Sequence, residues 1–498
     1  MKQSAAVIVV AVVLLLAMFI SPRTALAQAN AQAAQTVERF DRTLERIRQE
    51  TRLQVSPDVP IDQRTFYDAG GYFTFNYLSL DDATNNNRGF RQYDTTAYGR
   101  LVIDGANEFF VRGRLSYRDY NPGDNLNDQS SGLDGMVERA FWRFDLAKYR
   151  AAYGGADTPI DFTLKGGRDF IVWANGVVLA NVIDGAQIDI GFQPFNITLL
   201  AGVTAKQTVD FDSSRPDFDR DTHRGFYGAM LTTRIGNHRP FIYAIMQRDY
   251  NHKDTLFTPL DDTGTQGINT KFDYNSHYFG IGSNGSLSDR LTYGLELVYE
   301  GGQTLSNSFT QVADTGEIVQ TTQTLDSIEA YALDFELDYL VGDQRQTRFA
   351  FETILATGDN DRLQTSNTLG GNLPGTKDRA FNAFGLLNTG LAFGPSVSNL
   401  WSMRLGASTF PFPDVAAVRR MQVGMDFFVF QKFNANAPID EETSDSRFLG
   451  VEPDVYLNWQ ITSDVALSVR YGLFIPGDSV ENDKKFRQFL YTGVTIAF

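Results

Sequence analysis

Arginine recurs at alternate positions in the stretch "NEFFVRGRLSYRDY", residues 107–120, as Arg112, Arg114 and Arg118. A guanidinium is planar, permanently charged and presents a fork of donors that matches a carboxylate or phosphate. In an extended chain, residues two apart share a face. Arg112, Arg114 and Arg118 therefore stand together with Glu108, while Phe109, Val111, Leu115 and Tyr117 stand opposite. Flanking segments place Arg100, Arg139, Arg143 and Lys165 in the same way, so these seven residues form one basic set. Within their own segments they meet no equally dense set of acids, and the expectation is a wall of like charge suited to an organic anion.

A second set is acidic. Glu296, Asp334, Glu336, Asp338 and Glu352 alternate with Leu295, Leu297, Leu333, Phe335, Leu337 and Tyr339, and Arg348 and Arg470 fall among such segments. A strand that is oily on one face and charged on the other suits a wall between lipid and water. At mid-membrane a lipid-facing arginine or lysine costs about 2–4 kcal/mol, so the charges must look inward. All fourteen residues are read as lining an aqueous lumen. For any one of them, pairing with an opposite charge across the lumen is the competing reading.

Other chemistry finds little support. None of the four histidines (His223, His238, His252, His277) has metal-ligand spacing with another, and no Gly-x-Ser-x-Gly elbow occurs. His223 beside Asp221 is a pairing that chance would supply. "DFDSSRPDFDRD" (210–221) is acidic enough for Ca²⁺ but lacks EF-hand spacing, and reads as a solvated loop. The expectation is no enzyme, no catalytic residue, no metal and no cofactor.

Residues 1–27 carry Lys2, an uncharged run from Ala5 to Ile20 and Ala25-Leu26-Ala27, the pattern of a cleaved secretory signal. Residues 28–62 form a second unit. Val37, Phe40, Leu44, Ile47 and Thr51 recur at helical spacing, which predicts an amphipathic helix over 32–53, ended by Pro57 and Pro60. Packing beneath the barrel on the periplasmic side is the plain reading, with recruitment of a periplasmic partner as one use. A plug entering the pore, or a short coiled coil, is the alternative.

From residue 63 to Phe498 the chain alternates in segments of about ten residues, the length of a tilted membrane-crossing strand. Eighteen can be traced, from 70–80 to 487–498. Their connections alternate short and long, as in bacterial barrels with short periplasmic turns and long outer loops. Strands near 224–236 and 239–250 are apolar on both faces and leave their lumen side open. The stretch 380–403 lacks charge but reads as loop plus strand. The chain holds 43 glycines, 39 phenylalanines, 21 tyrosines and no cysteine, and its formal charge is −16, or −18 after loss of Lys2 and Arg23 with the signal. An acidic balance disfavours nucleic acid. The fold class is all-β: an antiparallel transmembrane β-barrel of about 18 strands in a bacterial outer membrane, preceded by a short periplasmic helix. A soluble β-sandwich or propeller would leave the signal, the terminal Phe498 and the loop alternation unexplained.

Three motifs carry a resemblance. Gly167-Arg168-Asp169 with "FIVWANGVVL", "ATGDND" (356–361), and "GVEPDVYLNWQIT" followed by "YGLFIPGD" are similar to segments of the alginate-export family of outer-membrane channels. The resemblance implies a monomeric eighteen-stranded barrel whose arginine-rich lumen passes an anionic polysaccharide, with Arg112, Arg114, Arg139 and Arg143 as substrate contacts. Asp169 stands where the family tends to have Gln. A general diffusion porin, and a structural or adhesion barrel using its outer loops, are the alternatives.

Overall fold

A computed structural model describes residues 36–37, 39–40, 65–126, 131–153, 159–208, 210, 212, 214–215, 220–251, 254–259, 266–311, 318–362, 371–481 and 485–498. The signal segment and most of 32–53 lie outside these residues.

The strands are β1 Phe66–Asp81, β2 Asn87–Ile103, β3 Asn107–Tyr120, β4 Gly132–Asp145, β5 Ile160–Val172, β6 Ala180–Phe192, β7 Phe195–Thr204, β8 Arg224–Thr233 and β9 His238–Asp249. There follow β10 Thr255–Pro259, β11 Gly267–Lys271, β12 Tyr274–Ser288, β13 Leu291–Leu305, β14 Phe309–Gln311, β15 Ile318–Gln320, β16 Leu325–Leu340 and β17 Arg348–Ala356. The last are β18 Leu400–Thr409, β19 Met421–Lys432, β20 Phe448–Gln460, β21 Val465–Pro476 and β22 Arg487–Ala497. Eighteen of them make one antiparallel sheet, each paired with its neighbour in the chain. The sheet closes where β1 pairs with β22, Tyr72 opposite Ala497 and Leu80 opposite Phe489. Closure leaves no open edge, the condition for a sheet in lipid. β10–β11 and β14–β15 are small hairpins in outer connections that the sequence reads only as loop.

The faces follow the alternation. Phe109, Val111, Leu115 and Tyr117 are exposed, and Glu108, Arg112 and Ser116 are buried. At the terminus Ile496 and Phe498 are exposed and Tyr491 is buried. Phe498 exchanges backbone hydrogen bonds with Gly71 at 2.9 and 3.0 Å, which fastens the last residue to the first strand. Short turns such as Asp104–Ala106 and Thr462–Asp464 mark the periplasmic end by the loop-length rule. The inner connection after β4 holds the helix Leu146–Tyr153.

The lumen differs from expectation. Two outer connections fold into it. Residues 176–180 and 384–386 run side by side there: Ala180 N–H donates to Phe384 O at 2.8 Å, Phe384 N–H to Val178 O at 2.9 Å and Leu386 N–H to Gly176 O at 3.0 Å. The approach is close enough that a Cβ at Gly385 would clash with Val177 O. Trp173, Val177, Val178, Leu179, Phe381 and Phe384 then pack on Phe226, Phe241, Tyr243, Ile245 and Tyr278 of the inner wall. This settles the lumen side of β8 and β9, whose inward face is apolar because it meets infolded chain rather than water.

Part of the N-terminal helix lies inside as well. Thr36, Val37, Arg39 and Phe40 are helical. Val37 and Phe40 join Leu78, Leu80, Phe90, Tyr120, Leu126, Phe489 and Tyr491 in one buried cluster toward the outer end. Phe40 meets Phe489 and Tyr491 edge-on at 5.1 and 4.6 Å. Arg39 donates to the carbonyls of Gly394 (3.0 Å) and Pro395 (2.8 Å) and to Ser396 Oγ (2.9 Å). For these residues the plug reading replaces a helix packed beneath the barrel. Two residues of the stripe offered to a periplasmic partner are thereby covered.

Candidate functional site: a basic lumen wall

β2 to β5 are consecutive in the barrel and carry the whole basic set. Its members pair with acids in a regular way. Arg100 Nε lies 2.7 Å from Glu108, which also pairs with Arg143. Glu138 lies 2.7 Å from Arg112 Nε and 3.2 Å from Arg114 Nε. Asp169 lies 3.5 Å from Arg139 Nε and pairs with Lys165. Each of three carboxylates is thus shared by two cations. Glu108, Glu138 and Asp169 interleave the wall, fewer than the cations they pair with. The balance of these groups remains positive, three charges against six.

Glu138 is the residue that alternation hides. Strict period two places it on the lipid face with Ala140 and Trp142. Between β3 and β4 the register shifts, with Arg112 opposite Arg139 but Gly113 opposite Val137. This bulge inserts Glu138 and turns it inward between two arginines. A charge at an apparent lipid position is the signal that would have exposed the bulge, given the cost of leaving it there. Asp169, the departure from the family motif, serves as the carboxylate for Arg139 and Lys165.

Aromatic rings lie among these charges. Tyr98, Phe110 and Phe141 occupy inward positions on β2, β3 and β4. They form a near-parallel series, with centroids 6.2 and 5.3 Å apart and ring planes 20° and 26° apart. Lys165 Nζ sits 4.6 Å above Phe141, and Arg100 lies 5.3 Å above Phe66. Sequence pattern alone does not single these rings out, because inward aromatics share the periodicity of the arginines.

Across the barrel the acids have another role. Glu296, Glu300, Asp334 and Glu452 are wholly buried, whereas 38% of Arg143 and 32% of Arg100 are exposed. Glu296 accepts hydrogen bonds from Asn175 N–H at 2.9 Å and Tyr243 O–H at 2.5 Å. Glu300 accepts from Asn382 N–H at 2.9 Å and from Tyr274 O–H. Glu452 accepts from the successive N–H groups of Leu391, Ala392 and Phe393 at 2.5, 2.7 and 2.8 Å. Gly390, at φ +91°, makes the turn before them, where a Cβ would meet the Glu452 carboxylate at 2.8 Å. Glu296 and Glu452 therefore pin infolded chain instead of lining water, a correction to the reading of the acidic face. Glu352 pairs with Arg404 at 2.6 Å, and Asp338 with Arg348 at the periplasmic end, also at 2.6 Å. Arg470 faces the Tyr456 ring at 5.3 Å.

The acidic loop is buried at Asp210, Asp212 and Ser214 and exposed at Asp221. Asp212 with Asp249 grips the buried Arg224, at 2.6 Å for Asp212. His223 meets Asn251 Oδ1 at 3.3 Å, while Asp221 accepts from Gln207 N–H at 2.9 Å. In the outer connection after β17, Asp359 of "ATGDND" accepts from the N–H groups of Asp361 and Arg379 at 2.8 and 2.7 Å. Burial holds its carboxyl above the usual range despite those donors.

The family model for alginate export matches residues 93–488. The chain belongs to the alginate export family. No curated protein matches it. Among solved structures it is similar to OccK1 (OpdK) of Pseudomonas aeruginosa in an improved crystal structure, at 10% identity and TM-score 0.50, covering 86% of this chain and 98% of that one. It is also similar to OccAB1 of Acinetobacter baumannii, at 10% identity and TM-score 0.49, covering 87% and 97%. At such identity the OccK1 likeness speaks for the fold alone. As a member of the alginate export family with a closed eighteen-stranded barrel, the chain is a bacterial outer-membrane channel.

Proposed function

We propose that this channel passes an anionic saccharide along the wall formed by β2 to β5. The observation that carries the reading is the sharing of Glu108, Glu138 and Asp169, each by two cations. Six cations set against three acids leave this group net positive, so a passing carboxylate can exchange with a resident one. Guanidinium groups offer it a paired donor fork. The stacked Tyr98, Phe110 and Phe141 add flat apolar surface of the kind that accepts the C–H face of a sugar ring. Arg118, Arg348 and Arg470 are assigned to the same lumen as outlying contacts. The family resemblance supports a monomer as the working unit.

The test is single-channel current from the mature chain in a planar bilayer, with alginate and with a neutral oligosaccharide. Anion selectivity and block by the acidic sugar alone are expected, and both should be lost in an Arg112→Gln/Arg114→Gln variant. An open pore indifferent to both sugars, or a stable trimer in mild detergent, would replace this reading with a general diffusion porin. Near-zero conductance even after removal of the infolded loops would leave a structural barrel.

A further inference from the structure

We propose that Asp334, Glu336 and Glu352 form a calcium site on the inner wall, opposite the basic face. Asp334 and Glu336 stand two apart on β16, and Glu336 lies directly across from Glu352 on β17. One carboxylate oxygen from each lies within 4.8 Å of the others. Oxygen ligands lie 2.3–2.6 Å from a Ca²⁺ ion and so stand up to about 5 Å apart across it, which lets three carboxylates this close share one ion after small side-chain adjustment.

Proximity of acids alone would not make a site. The second observation is Asp334 itself. It is wholly buried, and neither of its carboxylate oxygens has a hydrogen-bond partner among the described residues. An ionised carboxylate in that state is costly unless a cation or proton joins it. Its neighbours do not help. Glu296 stands across from it on β13 and is occupied by Asn175 and Tyr243. Arg404 is nearby, but it divides its fork between Glu352 Oε2 at 2.6 Å and Asp426 at 3.1 Å. That leaves the other oxygen of Glu352 for an ion. Half-buried Glu336 opens the group toward the lumen and gives the ion a way in. Three carboxylates from the protein suit Ca²⁺ better than Mg²⁺, which prefers one or two carboxylates and keeps its waters.

The site is independent of the saccharide reading, since it lies on another wall and binds the opposite charge. Its test is calorimetric titration of the EDTA-treated full barrel in detergent with calcium chloride, followed by thermal melting. One saturable site per chain and a raised melting temperature are expected. Asp334→Asn and Glu352→Gln should weaken binding by about ten-fold or more, because each removes a charged ligand. Asp343→Asn, an exposed turn residue, should leave it unchanged. Should Asp334→Asn misfold, Glu336→Gln at the half-buried position carries the same expectation. Absence of saturable calcium binding by the wild-type chain at millimolar concentration would overturn the site. So would unchanged binding in the folded variants, and magnesium chloride binding as tightly as calcium would overturn the choice of ion.

Discussion

The behaviour of the basic wall turns on Glu138. This side chain holds Arg112 and Arg114 at once, and it reaches them only because a bulge adds one residue to β4. Glu138→Gln keeps the shape and removes the charge, so both guanidinium groups become freer to meet a passing anion. Bi-ionic reversal potentials should move toward anions in this variant and toward cations in Arg112→Gln/Arg114→Gln. The other cations of the wall, Arg100, Arg139, Arg143 and Lys165, remain in both variants. Permeability ratios should therefore change by a few-fold and not by orders of magnitude. Shifts of the same sign in both variants would show that the wall does not set selectivity.

At the scale of the element, the infolded segments decide how much lumen is open. Glu452 takes three consecutive backbone N–H groups, and a buried donor left without an acceptor costs about 1–3 kcal/mol. Glu452→Ala should loosen residues 390–396 and raise both conductance and current noise. Glu452→Gln, which keeps an acceptor oxygen, should be milder. An unchanged trace in Glu452→Ala would mean that this loop does not bound the path. Phe40 offers a second lever, since removing a buried phenylalanine costs about 3–5 kcal/mol where the cavity cannot collapse. Phe40→Ala should undock the helical residues from Phe489 and Tyr491 and widen the channel. If conductance and protease access near residue 40 stay as in wild type, the plug is held by other contacts. These elements also mark where sequence reading ends. The barrel strands were legible because lipid outside and polar groups inside impose period two, visible in "EFFVRGRLSY" and again at Phe498. The infolded loops were not, since their partners are remote: Glu452 binds residue 391, and Glu296 binds residue 175. An acid facing water and an acid facing a backbone N–H have the same signature in a strand. The apolar inner faces of β8 and β9 are the visible trace of the infolded loops, which a water-filled lumen does not predict.

Over the whole molecule, net charge and local charge oppose one another. The chain carries −16, yet the wall of β2 to β5 is basic. Several acids elsewhere hold loops or buried arginines, as Glu452, Asp212 and Asp378 do. Ionic strength separates the two fields, because the Debye length falls from about 30 Å at 0.01 M to about 8 Å at 0.15 M and about 3 Å at 1 M. At the lowest salt an anion approaching the mouth feels the acidity of the entire chain. Near 0.15 M that field is screened beyond a few residues, while charges at contact distance on the wall still act. At 1 M even these are largely screened. Anion preference in bi-ionic reversal potentials should therefore rise from 0.01 to 0.15 M and fall again by 1 M. Glu138→Gln should lift the middle of the curve more than its ends. A steady fall from the lowest salt upward would show that the entrance already carries the basic field, and that the acidity of the chain is too far from the path to oppose it.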